Sequence, residues 1–235
     1  MNTFLTAQWK NLIMANYEVS HEILLPYLPA HTELDTWKGR LYVSLVGFMF
    51  LETRVLGLKI PFHVNFEEVN LRFYVKYQDG DQLKRGVVFI KEIVPKLAIA
   101  SVANSLYGEK YATMPMKNEL KQEGRKLTVR YLWKYKNKWN HLGISAENSL
   151  IEIAEGSEAE FITEHYWGYT KHKNSTSEYQ VAHPRWEQFP VQSYEIDCDF
   201  GAIYGNAFAF LSSQKPTSVL IANGSEIEVK KGKKI

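Results

Sequence analysis

The sequence contains very little of what several common classes of protein require, beginning with cysteine. Cys198 is the only cysteine among the 235 residues, which excludes an internal disulfide and a cysteine-based zinc site within one chain. No uninterrupted apolar run approaches the roughly 18 residues of a membrane-spanning helix, and the first residues show no basic segment followed by an apolar one. These absences predict a cytoplasmic protein that does not enter a membrane.

An excess of charge of one sign is also missing. The chain has 28 Lys and Arg residues against 26 Asp and Glu, so its formal net charge is only +2. A nucleic-acid partner is therefore not expected. The one basic run, Lys230, Lys231, Lys233 and Lys234, lies at the C-terminus, and we expect a solvated tail over about residues 230–235.

The short motifs of several enzyme classes are absent as well. There is no Gly-x-Ser-x-Gly elbow, no P-loop and no Gly-x-Gly-x-x-Gly fingerprint. The seven histidines are scattered without His-x-His or His-Glu-x-x-His spacing, so neither a metal nor a cofactor is predicted.

What the sequence does have is strand patterning. In Glu67–Tyr77 the odd positions from Val69 to Val75 are apolar and the even ones are polar, which indicates a strand with one buried face. Gly86–Val94 is almost wholly apolar and β-branched, as is typical of a strand covered on both sides. Roughly ten strands against three short helices predict a mainly β (α+β) fold, with a curved, largely antiparallel sheet or barrel. The length and the lack of a linker favour a single domain over residues 1–235.

Local signals predict the remaining elements. Further strands are expected at Trp9–Val19, Glu33–Trp37 with Leu41–Leu51 as a hairpin, Lys126–Lys136, Leu150–Ala154, Glu178–His183, Val191–Asp197, Ile203–Leu211, and Ser218–Ala222 with Glu226–Val229 as a hairpin around Asn223-Gly224. Helices are expected at His21–Tyr27, from Pro95 to Gly108, and at Glu158–His165 behind the cap Ser157. Loops are expected at Glu52–Phe62 and Lys171–Ser177.

A set of motifs spread over most of the chain resembles a known family. They are Trp9, Asn16-Tyr17, Leu25-Pro26, Leu28-Pro29, Tyr42 to Val46, Thr53-Arg54-Val55 with Gly57, Asn65 to Arg72, Arg85-Gly86-Val87, Phe161 to Glu164 and His183 to Trp186. Together they resemble the YqjF-like proteins, a mostly bacterial family of the acetoacetate-decarboxylase-like superfamily. The resemblance implies a closed, cone-shaped β-barrel with an internal cavity and a few short flanking helices. It implies no particular reaction.

The same resemblance makes Lys96 a candidate nucleophile. Acetoacetate decarboxylases form a Schiff base through a lysine in a Pro-Lys-Lys motif, and here Pro95-Lys96-Leu97 matches it, with Leu97 in place of the second lysine. Lowering the pKa of a lysine from about 10.4 to roughly 7.5 takes about 4 kcal/mol, most of which must come from burial. Glu92 and Glu68 are then the candidate proton carriers. The alternative is a solvated lysine at the start of a helix.

Two other groups are candidates for ligand binding. The first is the polar face made by Glu68, Asn70, Arg72, Tyr74 and Lys76. If this face points inward, Arg72 can clamp a carboxylate through two hydrogen bonds; if it points outward, it is an ordinary solvated face. Arg54, on a glycine-containing loop, is a comparable anion-binding candidate. In His183-Pro184-Arg185-Trp186, the indole of Trp186 can stack on a ligand beside His183, although a structural hydrogen bond equally explains the histidine.

Three functions follow from these residues. The first is a barrel that binds a small anionic molecule, a carboxylate in particular, in its interior. The second is a Schiff-base decarboxylase or related lyase that acts through Lys96. The third is a structural or partner-binding protein whose interior is filled by its many aromatic side chains. Homo-oligomerisation stays open.

Overall fold

Strands dominate the computed structural model, which describes residues 2–97 and 110–235. The strands are β1 Thr3–Val19, β2 Glu33–Leu34, β3 Leu41–Val55, β4 Phe66–Asp79, β5 Gln82–Val94, β6 Tyr111–Thr113, β7 Met116–Glu123, β8 Lys126–Tyr135, β9 Lys138–Glu147, β10 Ile151–Glu152, β11 Trp167–Lys171, β12 Thr176–Ala182, β13 Glu187–Phe189, β14 Val191–Asp197, β15 Ser218–Ala222, β16 Glu226–Lys230 and β17 Lys233–Lys234. The described helices are α1 His21–Leu24, α2 Glu158–Thr163 and α3 Phe200–Tyr204, with 3-10 turns at Leu25–Tyr27 and Asn206–Ser212. The mainly β class predicted from the sequence is confirmed.

The larger sheet forms a ring of paired strands. From β1 the pairings run through β3, β4 and β5, cross to β11 and β12, and return to β1 through β16. All of these pairs are antiparallel except that of β5 with β11, where Trp167 faces Gly86 and Gly168 faces Val87. The long strands β1, β3, β4 and β5 thus form one continuous wall.

A second, four-stranded sheet in the order β14-β9-β8-β7 covers the outside of this wall. Its buried side chains, such as Tyr131, Trp133 and Leu142, share one core with Leu45 and Leu71 of the wall. Consequently β4 is buried on both faces: its odd positions meet the second sheet, and its even positions turn into the ring.

The sequence pattern indicated one buried face for β4, but the structure buries both of its faces. Every residue from Val69 to Val75 is buried, including Asn70 and Arg72. The register with β5 pairs Asn70 with Glu92 and shifts at a bulge between Leu71 and Arg72. The polar residues on this inner face are the beginning of the candidate site.

Several predicted elements were wrong. Ile203–Leu211, predicted as a strand, is the end of α3 followed by a 3-10 turn. Glu33–Trp37 does not form a hairpin with the next strand: β2 pairs with β4, and only a single bridge joins Trp37 to Arg40. The predicted loop at Glu52–Phe62 begins later, since β3 continues to Val55.

The C-terminal segments pair differently from the prediction. β15 and β16 exist, but each pairs with a different part of β1 instead of with the other. Residues 230–235 are not a solvated tail, because Lys233 and Lys234 pair with β12 and Ile235 packs against the core. The strand β9, with Gly143 inside it, was not predicted.

Two predictions on helices have different outcomes. The helix after Ser157 is confirmed: the Ser157 hydroxyl accepts a hydrogen bond from the Glu160 N–H at 3.1 Å and starts α2. Most of the helix predicted from Pro95 to Gly108 lies outside the described residues. Among the described helices, none combines the length and the apolar character needed to cross a bilayer.

Candidate functional site

A cavity of about 200 Å³ lies inside the ring of strands. Its walls are mainly apolar and aromatic, and the segment between β3 and β4 contributes Ile60 and His63. The aromatic residues on its wall are Phe4, Trp9, Phe48, Phe50, Phe66, Phe89, Tyr111 and Tyr179. Apolar walls with a few polar groups are typical of cavities that bind small molecules.

The polar groups of the cavity come chiefly from β4. Glu68, Asn70 and Arg72 occupy alternate positions of that strand, and Glu92 of β5 joins them across the Asn70–Glu92 pair. All four side chains are buried. The alternation of β4 and the bulge in its pairing with β5 bring them to one wall, because every second side chain of a strand points the same way.

Arg72 has no anionic partner in the described part of the chain. Only 7% of its surface is exposed, no described carboxylate pairs with it, and its Nε has no acceptor. Its Nη2 lies 3.8 Å from Met14 Sδ, and its guanidinium carbon is 5.8 Å from the centre of the Tyr74 ring. A buried guanidinium without an anion is expensive unless something else supplies one.

Only the nitrogen of the Asn70 side-chain amide has a hydrogen-bond partner among the described residues. Its Nδ2 donates to Glu68 Oε1 at 2.9 Å, whereas its buried Oδ1 accepts no hydrogen bond from any described residue. The cavity wall therefore presents an unused donor on Arg72 and an unused acceptor on Asn70, two residues apart on one strand face.

Tyr111 connects the two glutamates. Its hydroxyl donates to Glu68 Oε2 at 3.0 Å and also interacts with Glu92. Burial and the neighbouring carboxylates of Glu68 and Glu92 raise the pKa of Tyr111 well above its usual value. The phenol therefore stays protonated at neutral pH, and its single O–H donates to Glu68.

The other residues predicted for the site lie elsewhere. Lys96 is half-buried just beyond β5 and is not among the described residues that line the cavity. Arg54 is exposed, and with His183 it borders a separate, more open hollow on the outside. The structure therefore brings Glu68, Asn70, Arg72 and Glu92 to one cavity, whereas Lys96, Arg54 and His183 do not line it.

Tyr74 and Trp186 are buried side chains held by their own contacts. The Tyr74 hydroxyl is 2.7 Å from Ser44 Oγ, and the indole of Trp186 donates to Ser225 Oγ at 2.8 Å. Trp186 stacks on His183 with ring centres 4.1 Å apart. Burial lowers the pKa of His183 to about 4, and the charge of Arg72 acts in the same direction.

Sequence reasoning missed Tyr111, Tyr179 and Thr53, which also line the cavity. They lie on three strands, β6, β12 and β3, that meet only through the ring. No local pattern signals such a meeting. Within the described residues no group of His, Cys, Asp and Glu is arranged to hold a metal ion.

The chain is similar to proteins of known sequence and structure. Residues 6–226 match the sequence model of the family DUF2071, described as an uncharacterized conserved protein. The uncharacterized protein YqjF of Bacillus subtilis (strain 168) is 27% identical over 183 residues, which is 76% of this chain and 72% of that protein.

Solved structures share the fold at low sequence identity. Acetoacetate decarboxylase from Legionella pneumophila superposes with a TM-score of 0.67 at 14% identity, covering 100% of this chain and 90% of the other. The enduracididine biosynthesis enzyme MppR, solved with pyruvate, gives a TM-score of 0.67 at 8% identity, covering 100% and 91%. At such identities the likeness is one of fold alone.

Proposed function

Since this chain belongs to the DUF2071 family of uncharacterized conserved proteins, in agreement with the resemblance of its motifs to YqjF-like proteins, we propose that it binds a small organic carboxylate. The ring of strands is, in this proposal, the closed, cone-shaped barrel that the resemblance implies, and residues 1–235 act as one domain. The binding site is the cavity that contains Arg72.

The observation that carries the proposal is the state of Arg72. A guanidinium that is 7% exposed and has no described carboxylate partner leaves an unpaired charge inside the protein. A bound carboxylate would supply both the opposite charge and two acceptor oxygens in the geometry that a guanidinium matches. The apolar walls would exclude water and strengthen that pair.

The fold neighbours support the same class of ligand. MppR is solved with pyruvate, and the Legionella pneumophila neighbour is named for acetoacetate. Both molecules are small organic carboxylates. A cavity of about 200 Å³ accommodates molecules of that size.

The two other functions stay predictions. Schiff-base chemistry through Lys96 rests on the Pro95-Lys96 motif, and no lysine is among the described residues lining the cavity. Borohydride reduction with a β-keto acid, which would trap an adduct absent from Lys96→Ala, is its test. A packed interior would favour a purely structural or partner-binding role, and the cavity favours ligand binding instead. Homo-oligomer formation also stays a prediction.

The test of binding is titration calorimetry with acetate, pyruvate and phenylacetate, each compared with its neutral amide. At least one acid should bind, and its amide should not. Arg72→Met should weaken the acid by roughly tenfold to a hundredfold, the usual value of a hydrogen-bonded charge contact. Arg72→Lys should lose part of the affinity because it cannot form the two-pronged contact.

Exposed Arg54 supplies the matched control, and Arg54→Met should leave the affinity unchanged. The unliganded Arg72→Met protein should be at least as stable as wild type, because a buried unpaired charge has been removed. Equal affinity of acid and amide, or full affinity in Arg72→Met, would overturn the proposal.

A further inference from the structure

Polar atoms of the cavity that lack a hydrogen-bond partner indicate which kind of carboxylate fits it. This inference rests on the proposed carboxylate site. Arg72 presents a donor without an acceptor, and Asn70 presents an acceptor without a donor. Both are buried, and both line the same space. Buried polar atoms are nearly always satisfied in folded proteins. Trp9 Nε1 and Thr53 Oγ1 also lack a partner among the described residues and belong to other strands of the lining. Arg72 and Asn70 are the pair on one strand face, an unpaired donor beside an unpaired acceptor, and they indicate a ligand that carries an acceptor and a donor.

The orientation of the Asn70 amide follows from its neighbour. A carboxylate accepts hydrogen bonds, so the amide nitrogen must face Glu68 Oε1, at 2.9 Å. Tyr111 already donates to the other oxygen of Glu68 at 3.0 Å. The amide oxygen of Asn70 is thereby directed away from the glutamate, and its lone pairs require a donor.

The distance between the unpaired atoms of Asn70 and Arg72 determines where the donor lies on the ligand. Asn70 and Arg72 are alternate residues of one strand, and alternate side chains leave a strand about 6.6 to 6.8 Å apart. Two hydrogen bonds of about 3 Å each span most of that distance. The ligand must then bring its carboxylate and its donor close together, as a carboxylic acid does when the donor is on the adjacent carbon.

The remainder of the cavity favours an aromatic side group. Trp9 packs edge-on against Phe48 and Phe50, with ring centres 5.0 and 5.7 Å away, and Phe50 stacks on Phe66 at 4.7 Å. These rings line the space next to the polar groups. A void of about 150 Å³ takes a benzene molecule, so a cavity of about 200 Å³ takes one ring with a few further atoms.

We infer that the ligand is an aromatic acid with a hydrogen-bond donor, a hydroxyl or an amino group, on the carbon next to its carboxylate. In this arrangement the carboxylate pairs with Arg72, and the hydroxyl or amino group donates to Asn70 Oδ1. The aromatic ring packs against Trp9 and Phe66. A 2-oxo acid fits this wall less well, because its keto oxygen is an acceptor and would face the Asn70 acceptor.

Matched ligands test the inference on the wild-type protein by calorimetry. Phenyllactate and phenylalanine carry the donor, phenylacetate lacks it, phenylpyruvate replaces it by an acceptor, and lactate lacks the ring. We expect phenyllactate or phenylalanine to bind about tenfold or more tightly than phenylacetate and phenylpyruvate, given the cost of an unsatisfied buried acceptor. Lactate should bind roughly tenfold to a hundredfold more weakly than phenyllactate, because it buries no ring.

The Asn70→Leu variant tests the assigned atom. It should remove the preference for the donor-bearing acid while keeping the affinity for phenylacetate. The exposed amide of Asn118, which donates to Glu67 at 2.7 Å, supplies the control: Asn118→Leu should keep the preference. If Asn70→Leu does not fold, the ligand series on wild type decides alone.

The outcomes separate this inference from the proposed function. Equal affinities of phenyllactate, phenylalanine and phenylacetate, all lost in Arg72→Met, would overturn the inference and leave the carboxylate site intact. Tighter binding of phenylpyruvate or of lactate would overturn it as well. Binding of none of these acids would overturn both, and tighter binding of the aromatic amine phenethylamine would do the same.

Discussion

The buried charged side chains of this protein differ in whether they have a partner of opposite charge. Lys84 is almost fully buried, and its ammonium lies 3.0 Å from the equally buried Glu178. Asp35 accepts from Arg85 at 2.7 Å and from His165 at 3.1 Å. The charges of Lys84 and Asp35 are thus paired within the protein, although His165 Nδ1 has no hydrogen-bond partner among the described residues. Arg72 is the contrasting case, and that contrast is why it carries the functional proposal.

The Asp35 group predicts a pH dependence of stability. Burial lowers the pKa of His165 from 6.5 to about 4, although the hydrogen bond with Asp35 acts in the opposite direction. Between these two values the unfolded chain binds a proton that the folded protein does not. The stabilisation is therefore complete above pH 6.5 and is lost as the pH falls towards 4.

Replacing His165 should flatten that dependence. A depression of this size corresponds to roughly 3 kcal/mol at about 1.36 kcal/mol per unit. In His165→Gln, whose side chain can still donate to Asp35, urea unfolding should show a clearly smaller loss of stability between pH 6.5 and pH 4. The exposed His21 gives the control, His21→Gln, which should keep the wild-type slope. An unchanged slope in His165→Gln would contradict the explanation.

At the scale of elements, the join between β5 and β11 depends on a glycine. Gly86 pairs with Trp167 in the parallel contact that carries the ring from one antiparallel half to the other. A Cβ added at Gly86 would lie 2.6 Å from the Trp167 carbonyl oxygen and 2.6 Å from a ring carbon of Tyr169. Neither the backbone nor a buried ring yields easily, so the strands would have to separate.

We therefore expect Gly86→Ala to lower the free energy of unfolding by about 1 to 3 kcal/mol, the usual range for overpacking. Gly143→Ala is the matched control inside another strand, because the atoms nearest to its new Cβ belong to the flexible Arg130 side chain, at 3.3 Å and beyond. Urea unfolding measures both. A loss in Gly143→Ala as large as that in Gly86→Ala would show that any strand glycine is equally sensitive.

Most strands could be predicted from the sequence because alternation and β-branching act locally. Pairing partners could not, because they are set by long-range packing: β15 and β16 looked like a hairpin around Asn223-Gly224, yet each pairs with β1. Ile203–Leu211 failed because its apolar residues are equally compatible with helical turns that bury Ile203, Phe208 and Leu211.

The candidate site was predictable in part for the same reason. The alternation of β4 identified Glu68, Asn70 and Arg72 as one face, but only the second sheet, which covers the opposite face, turns them inward. The sequence-based choice between an inward and an outward face was therefore open. Tyr111 and Tyr179 come from β6 and β12, which approach β4 only in the folded ring.

At the scale of the whole molecule, the C-terminus completes the sheet. Ile235 exchanges two backbone hydrogen bonds with Thr176, at 2.9 and 3.2 Å, and Lys233 lies 3.5 Å from the buried Glu178. The strand that receives these contacts, β12, carries Tyr179 at the cavity wall. The last residues of the chain are thus connected to the candidate site through one strand.

Deleting residues 232–235 should consequently destabilise the protein more than removing the charges alone. Each backbone hydrogen bond contributes about 0.5 to 1.5 kcal/mol net, so the loss of this pairing and of the Ile235 contact should lower the free energy of unfolding by roughly 2 to 4 kcal/mol. The double variant Lys233→Ala, Lys234→Ala keeps the backbone and should lose less than about 1 kcal/mol, because Lys233 itself is exposed and the buried Glu178 keeps its ion pair with Lys84. Urea unfolding of the two proteins distinguishes backbone pairing from charge, and equal losses would mean that the lysine side chains, not the strand, hold the C-terminus in place.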